Sequence, residues 1–182
     1  LVSELAKTND EQDGLKKQLA GTLQRIRTQY RFDEGSVGKT YDSLSSDYQE
    51  ADRRSKALHE RVDAVRHIAE DLFREWKREA NQIDDAPMRN TSLSNLERSQ
   101  AHFAATSAQL AEVEKKIQPV MKQMQNHVYF LKHELNARAV GSLESKLKSM
   151  APEIEQLIRS LEQSIGTAKE FEKDMAQKSA QG

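Results

Sequence analysis

The chain of 182 residues contains no cysteine. This absence excludes disulfides, thiolate catalysis and thiolate metal ligation, and it leaves the redox compartment undetermined. The formal net charge is only −1, so the strong basic field of a nucleic-acid-binding protein is missing. No apolar run approaches the roughly 18 residues that cross a bilayer. The sequence therefore predicts no binding to nucleic acid and no membrane-spanning segment within this chain.

The sequence is rich in charged residues, and its hydrophobic residues recur at regular intervals. Hydrophobic residues make up 36% and charged residues 31%, which fits one elongated, highly solvated domain over residues 1–182. Two columns of seven-residue spacing place their side chains on one stripe of one helix, roughly 70 Å long, which must pack against other long helices. The columns are Tyr41, Tyr48, Ser55, Val62, Ala69, Trp76 and Ile83, and Val37, Leu44, Ala51, Leu58, Val65 and Leu72.

The chain divides at three points where the helical pattern stops or changes phase: Gly35, Asp85 and Asn136. The patterns predict helices over about 1–33, 37–83, 87–135 and 138–176, and Asp85 is expected to cap the third. Because short connections make neighbouring helices antiparallel, we expect an all-α, elongated up-down-up-down bundle of coiled-coil type. The third helix repeats Leu96, Phe103, Leu110, Ile117, Met124 and Leu131 in one column.

Two prolines interrupt this regularity. The column of the third helix keeps its phase across Pro119, which predicts a kinked but continuous helix. Folding the chain at Asn136 places Pro119 and Pro152 at nearly one height, beside the small residues Ala51 and Gly21. We therefore expect a waist or bend at that level of the bundle.

Catalytic and metal-binding patterns are missing from the sequence. None of the five histidines forms an i,i+4 pair with another, and no Gly-rich phosphate-binding loop occurs. We expect no catalytic, cofactor or metal site, no small-molecule substrate and no enzymatic activity. An enzymatic interpretation requires distant carboxylates such as Asp47, Glu114 or Glu155 to converge on a pocket.

One stretch near the end of the third helix is unusually apolar and cationic. It is either a docking tip for a partner or for lipid head groups, or a bundle end filled by aromatic side chains and capped by cations. The structural interpretation is favoured, because helix ends commonly carry such cations. The candidate interaction residues are Tyr129, Phe130, Lys132, His133, Asn136 and Arg138.

The same stretch, Tyr129 to Val140 with Ser142-Leu143, resembles the signature of domain-of-unknown-function family 2959, an uncharacterised Gram-negative bacterial family. Further resembling segments are Phe32 to Gly35, Lys39 to Leu44, Arg61 to Val65 and Leu72 to Trp76. Members usually carry a secretion signal, often with a lipobox cysteine. The resemblance thus implies a periplasmic, membrane-anchored lipoprotein whose anchor precedes Leu1, and it implies no reaction. The chain departs from the pattern at Glu134 and Gly141.

Long heptads, balanced charge and the absence of catalytic patterns together favour a non-catalytic envelope scaffold. We expect it to recruit a protein partner or to self-associate, with a membrane tether supplied by a segment before Leu1. The alternative is a membrane-binding, curvature-related module resembling crescent-shaped helical dimers, which the predicted bend suggests.

Overall fold

The computed structural model describes residues 1–31, 35–133 and 137–179, with only the backbone of 137–142 and 177–179. These residues form helices joined by turns and contain no strand, which confirms the all-α prediction. The helices are α1 (Val2–Thr28), α2 (Val37–Ala80), α3 (Ala86–His133), α4 (Ala137–Ser149) and α5 (Ala151–Ser179).

The seven-residue columns form the core of the bundle. In α2 the side chains of Leu44, Ala51 and Leu58 are fully buried, and so is Val65. Phe103 of the predicted α3 column is only partly buried. The remaining members of that column are all buried: Leu96, Leu110, Ile117, Met124 and Leu131.

Side-chain contacts show that neighbouring helices are antiparallel. Between α2 and α3, His59 contacts Glu114, whereas the earlier Tyr48 accepts a hydrogen bond from the later Gln125. The other interfaces, α1 with α2, α3 with α5 and α1 with α5, follow the same rule. The main contacts close a ring in which α1 touches α2 and α5, and α3 touches α2 and α5. This is the arrangement expected of an up-down-up-down bundle.

The fourth predicted helix is two helices in the structure, which corrects the single helix expected over 138–176. Met150 separates α4 from α5, and its carbonyl accepts the first backbone hydrogen bonds of α5 from Glu153 and Ile154. Pro152 causes the interruption because it has no amide proton to donate to the carbonyl of Lys148, and its ring would clash with that carbonyl in a continuous helix. Proline is well tolerated in a first helical turn, where Pro152 lies.

The other boundaries differ less from the prediction. Helix α1 ends at Thr28, five residues earlier than expected. Asp85 caps α3 as predicted, because its carboxylate accepts a hydrogen bond of 2.8 Å from the amide of Met88. The predicted reversal at Asn136 lies outside the described residues, between the end of α3 and the start of α4.

Pro119 lies inside α3, which continues through it as predicted. One turn further along, Gln123 donates a hydrogen bond of 2.5 Å to Glu153, the neighbour of Pro152. The two prolines therefore lie near one level of the bundle, where α4 and α5 are separated. The bend at this level stays a prediction.

The hairpin formed by α2 and α3 extends past the start of α1. Leu1 packs against a small second core made by Ala69, Phe73 and Leu96, which is separate from the main core. Beyond this level α2 and α3 pack mainly on each other, and the indole nitrogen of Trp76 donates a hydrogen bond of 3.0 Å to the hydroxyl of Ser92. We call residues 69–96 the hairpin extension.

Replacing Thr106 with valine should stabilise the bundle. Thr106 is fully buried, and its hydroxyl has no hydrogen-bond partner among the described residues. Valine has nearly the same shape and removes the desolvated hydroxyl, so we expect the free energy of unfolding to rise by about 1 kcal/mol. Urea denaturation followed by circular dichroism measures the change. Thr167→Val is the control and should give no gain, because the Thr167 hydroxyl donates a hydrogen bond of 3.1 Å to the carbonyl of Gln163. A loss of stability in Thr106→Val would contradict the assignment.

Candidate functional site

The proposed interaction tip lies at the end of α3, and part of it is exposed. Tyr129, Lys132 and His133 are spaced by three and four residues, so they share one face of the helix. All three are exposed, and the side chain of Tyr129 is 55% accessible. The Tyr129 hydroxyl lies 3.5 Å from the amide nitrogen of Gln125. This face presents an aromatic ring beside a lysine and a histidine at the end of a rigid helix.

The structure separates Phe130 from this exposed face. Phe130 is partly buried against the main core, and the ammonium of Lys146 on α4 lies 5.7 Å from the centre of its ring. This distance allows a cation–π interaction. Phe130 therefore holds α4 against α3. Asn136 lies outside the described residues, as does the side chain of Arg138, whose backbone belongs to α4.

A small cavity of about 280 Å³, lined in part by Lys146, lies between α3 and the junction of α4 with α5. Burial lowers the pKa of His127 in its wall, and the charge of Lys146 lowers it further. The imidazole is therefore neutral at neutral pH and can donate one hydrogen bond and accept another. The other lining residues are Gln123, Asn126, Ser149 and Glu153.

A larger groove, of about 420 Å³, runs between α2 and α3 and was not expected from the sequence. In its wall His59 Nδ1 lies 2.6 Å from Glu114 Oε1, and Arg66 donates a hydrogen bond of 2.6 Å to the other oxygen of Glu114. The hydrogen bond with Glu114 and the charge of Asp63 raise the pKa of His59. The groove therefore carries a protonatable histidine held between carboxylates.

The groove also brings a serine next to this histidine, because Ser55 precedes His59 by one helical turn. The Ser55 hydroxyl donates a hydrogen bond of 2.7 Å to the carbonyl of Ala51. His59 Nε2 lies 3.5 Å from Asp63, so both ring nitrogens face carboxylates. A nucleophilic serine needs a histidine nitrogen free to accept its proton. The observed contacts do not form such a pair.

The three carboxylates on which an enzymatic interpretation depends lie at three different interfaces. Asp47 is bound by Arg25 between α1 and α2, whereas Glu114 is bound by Arg66 between α2 and α3. The third, Glu155, pairs with an arginine of α1. The structure thus pairs each carboxylate with its own arginine and does not bring them together at one pocket.

Among the residues that the structure describes, no group of three or more histidine, aspartate and glutamate side chains is arranged to hold a metal ion. Among them also, no helix combines the length and the apolar composition of a membrane span.

The hairpin extension is the feature that the sequence analysis missed. It exposes Met88, which is 64% accessible, and the residue just before the extension, Ile68, is 38% accessible. The extension follows from the unequal lengths of the helices: α1 has 27 residues, whereas α2 has 44 and α3 has 48. A helix of 27 residues is about 25 Å shorter than one of 44, so it cannot cover its neighbour over the whole length.

The comparisons with known proteins give a family and no activity. The chain matches the family described as "Protein of unknown function (DUF2959)" over residues 1–175. No curated protein and no solved structure matches the chain. The match spans all five helices up to the last turn of α5, and it agrees with the resemblance found in the Tyr129 to Val140 segment. The chain belongs to domain-of-unknown-function family 2959.

Proposed function

We propose that this protein is a non-catalytic scaffold of the bacterial envelope that recruits a protein partner. It is the soluble part of a periplasmic lipoprotein, tethered to the membrane by a segment before Leu1. The resemblance to a family whose members usually carry a secretion signal supports the location. The packing of the bundle supports the scaffold role, because its long helices hold the two ends of the molecule far apart.

The exposure of large apolar side chains at both ends of the bundle carries this proposal. Tyr129 is exposed at the end of α3, and Met88 is exposed at the opposite end. Scattered exposed apolar residues are normal on a protein surface, but aromatic side chains such as tyrosine are enriched at interfaces. Tyrosine and tryptophan also contribute disproportionately to binding energy at interfaces. The Tyr129 face is therefore our candidate partner-binding site.

Photo-crosslinking in cells tests the proposal. A photoreactive phenylalanine analogue is placed at position 129 of the chain with its native leader, and envelope fractions are analysed after irradiation. We expect a discrete crosslinked species that contains a second protein. The control places the analogue at Arg53, an exposed position in the middle of α2. Recovery of the chain in the cytosol, or the same products from positions 129 and 53, would contradict the proposal.

A membrane-shaping role is the second candidate, and the interruption between α4 and α5 at the level of Pro119 favours it. Such a role requires attraction to anionic lipid, which the net charge of −1 does not provide. Sedimentation with anionic and neutral vesicles separates the two candidates. If the protein is a scaffold, we expect the chain without its anchor to stay in the supernatant with both kinds of vesicle. Binding to anionic vesicles would favour the membrane-shaping role.

A further inference from the structure

The last part of α3, over about five turns, carries no carboxylate. Between Glu114 and Glu134 the sequence has 19 residues, which include four lysines and two histidines but neither aspartate nor glutamate. The whole chain has 29 acidic residues among 182, so a stretch of this length would on average hold about three. This part of α3 is therefore basic in a chain whose net charge is only −1.

Exposed residues of this segment form one stripe along the helix. Their spacing of three or four residues keeps them on a single face. At about 1.5 Å per residue the stripe is about 27 Å long. Its polar groups are ammonium, amide, phenol and imidazole groups, all of which can donate hydrogen bonds. We call these residues the basic stripe: Lys115, Gln118, Lys122, Asn126, Tyr129 and His133.

The lysines of the basic stripe differ from the exposed cations of α2. There Arg53, Lys56 and Arg74 each pair with a carboxylate three or four residues earlier on the same helix. Lys115 and Lys122 have neither an ion pair nor a hydrogen bond of the side chain within the part of the chain that the structure describes. Their ammonium groups are thus available to carboxylates from outside the molecule.

The end of the helix does not account for these two lysines. Cations in a last turn, such as Lys132 and His133, interact favourably with the terminal carbonyls, and this effect is confined to that turn. Lys115 and Lys122 lie 18 and 11 residues before the end of α3 at His133. Their charges therefore do not serve to cap the helix.

Carboxylates lie on both sides of the basic stripe. On the α2 side Glu60 is exposed and lines the larger groove together with Gln118. On the α5 side the exposed Glu153 accepts the hydrogen bond from Gln123. The positive surface is thus only one helix wide, about 10 Å. A flat anionic surface such as a membrane would also meet these carboxylates, whereas a single helix of another protein would fit on α3 alone.

We propose that the basic stripe binds an acidic helix of the partner protein. The inference rests on the proposed function and deepens it, because it names the chemistry of the partner at Tyr129. Carboxylates of the partner pair with Lys115 and Lys122 and accept hydrogen bonds from the amides of Gln118 and Asn126. Because these ion pairs stay exposed to solvent, each contributes little and salt weakens them.

Fluorescence anisotropy with the purified chain tests the inference. The probe is a fluorescein-labelled helical peptide of about 20 residues, about as long as the stripe, with glutamates along one face. We expect binding in low salt with a dissociation constant on the order of 100 µM, and its loss in about 0.5 M salt. The same peptide with glutamine in place of glutamate should bind at least about tenfold more weakly.

Charge reversal on the protein gives the matched comparison. Lys115→Glu/Lys122→Glu should weaken binding of the glutamate peptide at least about tenfold, because two attractions become repulsions. The control Lys77→Glu/Arg98→Glu changes the net charge equally at exposed positions outside the stripe, and should change the affinity less than about twofold. Circular dichroism verifies that both variants keep the fold. No binding up to about 1 mM, or equal weakening in both variants, would overturn the inference.

Vesicles and cells provide the remaining outcomes. Binding to phosphatidylglycerol vesicles but not to the glutamate peptide would assign the stripe to a membrane and overturn the inference. In cells, a photoreactive analogue at position 118 should crosslink to the same protein as the analogue at position 129, within an acidic segment of it. A partner captured at 129 but not at 118 would contradict the stripe and leave the proposed function intact. If position 129 captures no partner, the proposed function fails, whereas the peptide measurement still decides whether the stripe binds acidic helices.

Discussion

Replacing Leu58 with alanine is expected to lower the free energy of unfolding by about 3 to 4 kcal/mol. Leu58 is fully buried in the middle of the bundle, at the seven-residue spacing that links Leu44 to Leu72. The substitution removes buried apolar surface and leaves a cavity that the surrounding helices cannot fill completely. Urea denaturation followed by circular dichroism measures the loss.

Leu72→Ala is the matched control, because Leu72 belongs to the same column but lies in the hairpin extension. Its side chain is only half-buried, so we expect a loss of about 1 kcal/mol. Equal losses for Leu58→Ala and Leu72→Ala would mean that the column is covered equally along its length. That result would contradict the distinction between the body and the extension.

Asp47→Ala should cost nearly as much, about 3 kcal/mol. Asp47 is buried, and its carboxylate accepts hydrogen bonds of 2.8 Å from Arg25 Nε and 2.6 Å from the Tyr30 hydroxyl. Burial and the contact with Asp47 raise the pKa of Tyr30. Removing the carboxylate leaves the buried Tyr30 hydroxyl without its acceptor, and it leaves Arg25, whose side chain is 32% accessible, without its counterion.

Asp52→Ala is the control for this substitution. Asp52 lies on the same helix and pairs with Lys56, whose side chain is 73% accessible. Solvent screens such a pair, so its loss should change the free energy of unfolding by less than about 0.5 kcal/mol. A loss from Asp47→Ala no larger than that from Asp52→Ala would show that the buried network does not stabilise the contact between α1 and α2.

The sequence was sufficient to predict the helices and their core columns, because a seven-residue repeat determines which side of a helix is apolar. Leu44, Ala51 and Leu58 are buried for this reason. The end of α3 was also predictable as an unusual surface, since a run of apolar residues is followed by cationic residues there. Of that surface the structure exposes Tyr129 but packs Phe130 against the core, a difference that depends on where α4 lies.

Contacts between helices were not predictable, because they depend on the relative heights of the helices. No local pattern relates Asp47 to Arg25 or His59 to Glu114, which are brought together only when the bundle closes. The break at Met150 could have been inferred from Pro152, but the apolar pattern continues through it and suggested one helix. The hairpin extension likewise results from unequal helix lengths, and not from any motif.

Hydrogen exchange along α2, followed by mass spectrometry at low protein concentration, tests most directly whether four helices cover the body and two cover the extension. We expect the amides between Leu44 and Val65 to exchange slowest, with free energies of opening close to that of global unfolding. The amides from Leu72 to Ala80 should exchange much faster, because fewer buried contacts oppose their opening. Uniform protection from Leu44 to Ala80 would contradict this account of the fold.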